Sequence, residues 1–193
     1  MILSSSAIGK TASAPHPAHP ALAAFNARAE RQGWPFACLP AKDFETPELA
    51  AVCTLWHEKA QGRLMPRRAD LTARVMKRWM THMSLIEPVG EDGCYRVRLH
   101  GSALARYSGD ATGKLLEEVI APERLAGYAA IYDVARAARL PLRVISRYQA
   151  PEIAYLTGES FVAPLAHGDD NIMILSITYP KPRAEILGRT SFD

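Results

Sequence analysis

The sequence predicts an α+β fold: a five-stranded antiparallel sheet, with short helices and one longer helix between its second and third strands, and further helices ahead of it. Three observations carry this expectation. Strand-like runs come as a pair and then as a trio, instead of alternating with helices as parallel βαβ units do. Between the two groups, Gly101, Gly109 and Gly113 interrupt the chain into short helical turns before a longer helical stretch opens at Pro122. Ahead of both, apolar residues recur at helical spacing from Leu49 onward.

Residues 1–20 are rich in Ala, Ser, Pro and His, and Pro15, Pro17 and Pro20 remove backbone donors, so residues 1–45 read as a disordered or poorly structured extension. Within it a short helix fits residues 21–32, followed by a connector through Trp34, Pro35 and Pro40 that no pattern places. Thr46 is a good N-cap, with Pro47 in the first turn and Glu48 beside the positive end of the helix dipole. Leu49, Val52, Cys53 and Trp56 then fall on one face of a helix that Gly62 can end. After the turn at Met65-Pro66-Arg67-Arg68-Ala69, Asp70 is positioned to cap a second helix running to about Ser84, with Leu71, Val75, Trp79 and Met83 aligned and Met76 and Met80 alongside. Residues 46–83 are therefore assigned as a helical segment.

From Ser84 the period changes. Tyr95, Val97 and Leu99 alternate with Arg96, Arg98 and His100, the signature of a strand with one buried face, and Glu91-Asp92-Gly93 joins it to a partner strand at Ser84–Glu87. Pro122 opens the longer helix, whose stripe is Leu125, Tyr128, Ala129, Tyr132 and Ala135 and whose end lies near Arg139, before Pro141. Three runs rich in β-branched and aromatic residues follow, Leu142–Tyr148, Tyr155–Ala166 and Asn171–Tyr179, the last two joined by a hairpin at His167-Gly168-Asp169-Asp170. Residues 84–180 form the expected domain and 181–193 a tail.

With 193 residues, 48% of them hydrophobic, the chain can bury a normal core. No stretch approaches the roughly 20 apolar residues of a membrane span, and Met1-Ile2-Leu3 gives way at once to three serines, so a cytoplasmic location is expected. Cys38, Cys53 and Cys94 are odd in number and widely spaced, which fits neither a disulfide framework nor a zinc site. His16 and His19 could touch a metal but lack further fixed ligands, so no metal is expected. A net charge of +3 is too small to argue for nucleic acid. Its distribution is uneven: Lys59, Arg63, Arg67, Arg68, Arg74, Lys77 and Arg78 face a single Asp70, whereas Glu152, Glu159, Asp169 and Asp170 fall in a stretch with no basic residue. Two solvated faces, a dimer contact, an intramolecular contact and a basic nucleic-acid face are all compatible with that asymmetry.

Catalytic motifs are missing. Gly158-Glu159-Ser160-Phe161-Val162 begins like a nucleophile elbow but carries Val162 where the second glycine belongs. There is no phosphate-cradling loop, dinucleotide fingerprint or His-Glu-x-x-His helix. The chain is expected not to be an enzyme.

The run Arg98-Leu99-His100-Gly101-Ser102-Ala103-Leu104-Ala105-Arg106-Tyr107-Ser108-Gly109-Asp110-Ala111-Thr112-Gly113-Lys114-Leu115-Leu116 resembles the region of the PAS superfamily that joins the second strand to the short helices, with Gly113 matching a recurrent helix-breaking glycine. Leu55-Trp56 and Arg63-Leu64-Met65-Pro66-Arg67-Arg68-Ala69-Asp70-Leu71 are similar to a bacterial family of small PAS-domain proteins, which extends the resemblance over about Pro47 to Tyr179. It implies a PAS-like sheet and helices around a small pocket, and a role in sensing or interaction. Haem-binding members use a histidine on the long helix, where residues 122–139 have none. Flavin light sensors use a cysteine on the short helices, where residues 99–118 have none, and Cys94 shows no chromophore motif. Haem and flavin are thus disfavoured and the cofactor is left open.

Val97, Leu99, His100, Tyr107, Tyr128, Tyr132 and Ile174 are the candidate pocket lining, because apolar walls with a few polar groups are usual for ligand sites. The strand phase groups His100 with Arg96 and Arg98 on the polar face, although an imidazole closing the strand could also bond a ligand. Leu49, Val52 and Trp56 are candidates for a homodimer interface, or else cover the chain's own sheet. The expected function is a non-catalytic regulatory module that binds a small apolar or amphipathic molecule and signals by associating with another protein whose identity the residues do not show. The alternatives are a pure interaction adaptor with a filled pocket and, less favoured, a small enzyme or a nucleic-acid binder.

Overall fold

The computed structural model describes residues 19–90, 93–147, 156–168 and 171–182. Its centre is a wholly antiparallel sheet in the order β1-β4-β5-β6-β2-β3, with β1 at Phe36–Pro40, β2 at Met83–Pro88, β3 at Tyr95–His100, β4 at Leu142–Arg147, β5 at Leu156–His167 and β6 at Asn171–Pro182. Helices α1 (Pro20–Gln32), α2 (Pro47–Ala60) and α3 (Ala73–Met76) come from the chain ahead of β2, and α4 (Ser102–Ser108), α5 (Leu116–Val119) and α6 (Pro122–Ala138) from the segment between β3 and β4.

The sixth strand is β1, in the region expected to be poorly structured. Pro35 and Pro40 make it look like a connector, but β1 is an edge strand, where a missing donor is tolerated. Helix α1 supports it. Leu22, Phe25 and Ala29 are buried, and the Asn26 side chain donates to the carbonyl of Cys38 and accepts from its N–H, both at 2.8 Å. That clasp treats the backbone as a further strand would, and so blunts an edge open to pairing with another chain.

Both faces of the sheet are covered. One carries α1, α5 and α6 over a core that includes Phe36, Ile86, Tyr95, Val97, Ile131, Tyr132, Val144 and Ile174. The other carries α2, α3 and their connecting turns over Phe161, Ala163, Leu165, Leu175 and Ile177. Leu49, Val52 and Trp56 are buried to 0%, 1% and 3% exposure in this second core, and the Trp56 indole donates to the carbonyl of Pro164 at 3.0 Å. The three dimer-interface candidates are therefore spent on the chain's own sheet. The second helix is also corrected: residues 68–83 form a 3₁₀ turn at Arg68–Asp70, the four-residue α3 and another 3₁₀ turn at Met80–His82. Thr72 starts its own turn by accepting from Val75 N–H, and Met83 and Ser84 already belong to β2.

The false nucleophile elbow is plain strand, and its acid has a structural task. Glu159, counted above among an acidic stretch, is 0% exposed and accepts from the N–H groups of Glu45 and Thr46, the Thr46 hydroxyl and Arg143 Nε at 2.6–3.0 Å. Glu152, Asp169 and Asp170 lie outside the described residues. Thr46 is the N-cap of α2, so this buried carboxylate ties the helical layer to β5. Burial alone would raise the pKa of Glu159; the hydrogen bonds from Thr46 and Glu45 and the charge of Arg143 outweigh it and hold it below the ordinary carboxylate range.

Candidate functional site

A cavity of about 310 Å³ lies between the sheet and the α4–α6 segment. Glycines open the way for this segment. Gly101 leaves β3 so close to the preceding layer that an added β-carbon would sit 2.4 Å from the carbonyl oxygen of Thr81, and Gly113 takes a φ of 85° to return its N–H to the carbonyl of Val97 at 2.7 Å. Helix α4 contributes Leu104, Tyr107 and Ser108 to the wall, the turn into α5 and α5 itself Ala111, Leu116 and Val119, and the first turns of α6 Arg124, Tyr128 and Tyr132. The sheet contributes Ser84 and Ile86 from β2, Val97 and His100 from β3, and Ser176 and Thr178 from β6. A narrower space of about 40 Å³ continues under α6, bounded in part by Tyr128, Tyr132, Ser146 and Ser160.

Five of the seven predicted lining residues meet here: Val97, His100, Tyr107, Tyr128 and Tyr132. Ile174 is fully buried in the same core but not on the cavity wall. Leu99 faces the other layer, packed against the core beneath α2. The reason is a β-bulge. Ser84 pairs with His100 and Leu85 with Leu99, but Ile86 pairs with Val97, leaving Arg98 as the extra residue. One inserted residue reverses the phase of all that follow, so His100 turns into the cavity and Leu99 away from it. The assignment of His100 to the polar face with Arg96 and Arg98 is corrected accordingly.

His100 is held on both ring nitrogens, with Nδ1 3.0 Å from Ser84 Oγ and Nε2 2.9 Å from Ser108 Oγ, while its N–H donates to Thr112 Oγ1 at 3.1 Å. Burial lowers its pKa more than the charge of Asp110 raises it, which favours the neutral ring. Burial likewise pushes the Tyr128 and Tyr132 phenols up, so both remain protonated donors. Arg124 stacks over the rings of Phe36 and Tyr128 at 5.3 and 5.5 Å from their centroids. Behind this wall Tyr95, 1% exposed, donates to Asp133 and accepts from Arg136 at 3.3 Å; burial and the Asp133 bond push its phenol up to about 12.

Sequence reasoning missed Arg124, Ser84, Ser176 and Thr178. For Ser176 and Thr178 the alternation with Leu175 and Ile177 in β6 marks a polar face without showing whether it meets solvent or an interior space. In a sheet covered on both sides, the hydroxyl face looks into a wetter interior space, not into solvent. Among the described residues no group of three or more His, Cys, Asp or Glu could hold a metal ion, and no helix is long and apolar enough to cross a membrane.

An antiparallel sheet whose inserted short helices and long helix enclose a mixed polar and apolar cavity defines a sensor-type α+β module. A family model described as a PAS domain matches residues 44–178, and the chain belongs to that family. Membership points to a sensor or regulatory role. No curated protein matches the chain.

Proposed function

We propose that this chain is a non-catalytic regulatory sensor that binds a small amphipathic molecule between the sheet and α4–α6 and passes occupancy on by associating with another protein. The observation that carries this reading is the cavity itself, whose volume of about 310 Å³ stands at the lower end of ligand sites and whose wall mixes apolar side chains with converging hydroxyls. Helix α4 supplies a route outward, since Tyr107 lines the cavity yet is 49% exposed. Occupancy would shift the population of α4 conformers and thereby change the surface offered to a partner. A second copy of the chain qualifies as partner only through a surface other than the Leu49, Val52 and Trp56 stripe, which is already buried. The non-catalytic part of the reading is supported by the Ser84–His100–Ser108 relay: hydroxyls hold both imidazole nitrogens, and among the described residues no carboxylate orients the ring as an acyl-transfer triad requires.

The test is native against denaturing mass spectrometry of protein purified from cell extract, followed by titration with released or candidate ligands. A stoichiometric small molecule that protects α4 from hydrogen exchange is the expected result. Failure of any small molecule to bind, with α4 protected only by a protein partner, would establish the adaptor reading instead.

A further inference from the structure

The polar residues of the cavity wall divide into those already occupied and those left open. Ser84 and Ser108 are bonded to the two ring nitrogens of His100, and Thr178 shares a hydrogen bond of 2.8 Å with Ser160. Arg124 is engaged within the chain, by the rings of Phe36 and Tyr128 and by a further interaction. The hydroxyls of Tyr128, Tyr132 and Ser176 hydrogen-bond to no protein group among the described residues. These three residues border both the main cavity and the narrower space under α6, whereas Leu104, Val119 and Ile120 border the main cavity alone. The open hydroxyls thus gather where the two spaces meet.

That junction offers hydrogen bonds without charge. Burial keeps both phenols protonated, so they donate, and the serine hydroxyl can donate or accept. Among the described lining residues there is no Asp or Glu to meet a cation, and the guanidinium of Arg124 is already committed to this chain. An ionised head placed there would leave water without gaining an opposite charge of its own, which costs far more than burying an uncharged group that finds hydrogen bonds. A water occupies about 30 Å³ in the liquid, so the cavity volume corresponds to roughly ten water-sized units, or about ten non-hydrogen atoms of ligand.

Resting on the sensor reading above, we infer that the ligand is an uncharged amphipathic molecule of about ten non-hydrogen atoms, its hydrogen-bonding head among the Tyr128, Tyr132 and Ser176 hydroxyls and its apolar body against Leu104, Val119 and Ile120.

Isothermal titration of the full chain at neutral pH with octanamide, octanoate and octylamine isolates the effect of charge, because the three share an alkyl chain and differ in head. Octanamide is expected to bind at least about tenfold more tightly than either charged probe. Tyr132→Phe and Ser176→Ala, each of which removes one hydroxyl, should weaken octanamide about threefold to tenfold. Because neither hydroxyl bonds a described protein group, both variants should melt no lower than wild type in the absence of ligand, which separates a lost head contact from a damaged fold. Octanoate or octylamine binding as tightly as octanamide, or a retained small molecule with an ionised head, overturns the inference and leaves the sensor reading standing. Octanamide affinity unchanged in both variants does the same. If none of the three probes binds and the purified protein carries no small molecule, both fall together.

Discussion

Replacing Glu159 by glutamine removes the charge that joins the N-terminal helical layer to the sheet, and its cost can be worked out from the structure. The carboxylate is 0% exposed and takes hydrogen bonds from two backbone N–H groups, the Thr46 hydroxyl and Arg143. Breaking a buried ion pair by removing one partner costs about 3–5 kcal/mol, because the other charge stays behind unmatched. The Arg143 side chain retains 12% exposure and a second carboxylate, Glu45, at 3.5 Å, which places the cost near the lower end, about 3 kcal/mol. In a domain of this size that is a fall of about 6–12 °C in Tm. The pH dependence has a definite sign. With its folded pKa held below the unfolded value of about 4.3, Glu159 contributes stability that is present above that value and is lost as pH falls through the folded pKa. Urea unfolding followed by tryptophan fluorescence should show a gap of about 3 kcal/mol between wild type and Glu159→Gln at pH 7 that narrows as pH falls below the unfolded value of about 4.3. A gap under about 1 kcal/mol at pH 7, or one that does not narrow below that value, would refute the account of how the two layers are joined.

Other changes probe other parts of the argument. Leu49→Ala should cost about 2–5 kcal/mol in chemical denaturation and leave the mass by light scattering unchanged, because Leu49 is 0% exposed within its own chain. Gly127→Ala should cost about 1–3 kcal/mol in the same assay, since its β-carbon would lie 2.6 Å from the Phe36 ring where α6 crosses β1. Proton NMR should find the His100 imidazole titrating below the usual value of about 6.5. The neutral ring then stabilises the fold above that value, and the contribution is lost as pH falls through the folded pKa, a loss that His100→Asn should lack. A normal or raised titration would mean that the ring is not enclosed as described.

The elements with strong periodicity were legible in the sequence. Tyr95–His100 is strand over the expected residues, and the long helix ends one residue short of the expected Arg139. Where sequence reading departs from the structure, the cause is long-range packing. Residues 36–40 form a strand because Asn26, ten residues before that run, supplies hydrogen bonds to its outer edge, and because β4, a hundred residues later, supplies the inner ones. The stripe Leu71, Val75, Trp79 and Met83 has helical spacing, yet Trp79 reaches the carbonyl of Glu48 at 2.9 Å and the chain meets that contact with several tight turns in place of one helix. The cavity's aromatic and apolar members could be anticipated from their stripes. Its serines could not, because a hydroxyl facing an interior space and one facing solvent leave the same alternation in sequence.

Side-chain direction along a strand has something like a reading frame, and the bulge at Arg98 is a frameshift in it. The polar corner formed by His100, Ser84 and Ser108 depends on one residue being looped out of the ladder between Val97 and Leu99 more than on the identity of the residue that bulges. Almost any side chain at position 98 preserves the corner. Deleting that single position would remove the bulge and leave Val97, Leu99 and His100 facing as they do now, whereas ironing the bulge out with Arg98 kept in the ladder would present Leu99 to the cavity and His100 to the helical layer, exchanging a hydrogen-bonding corner for a greasy one. Closely related sensors could thus switch the polarity of their ligands by keeping or losing one bulge, with every wall residue still in place.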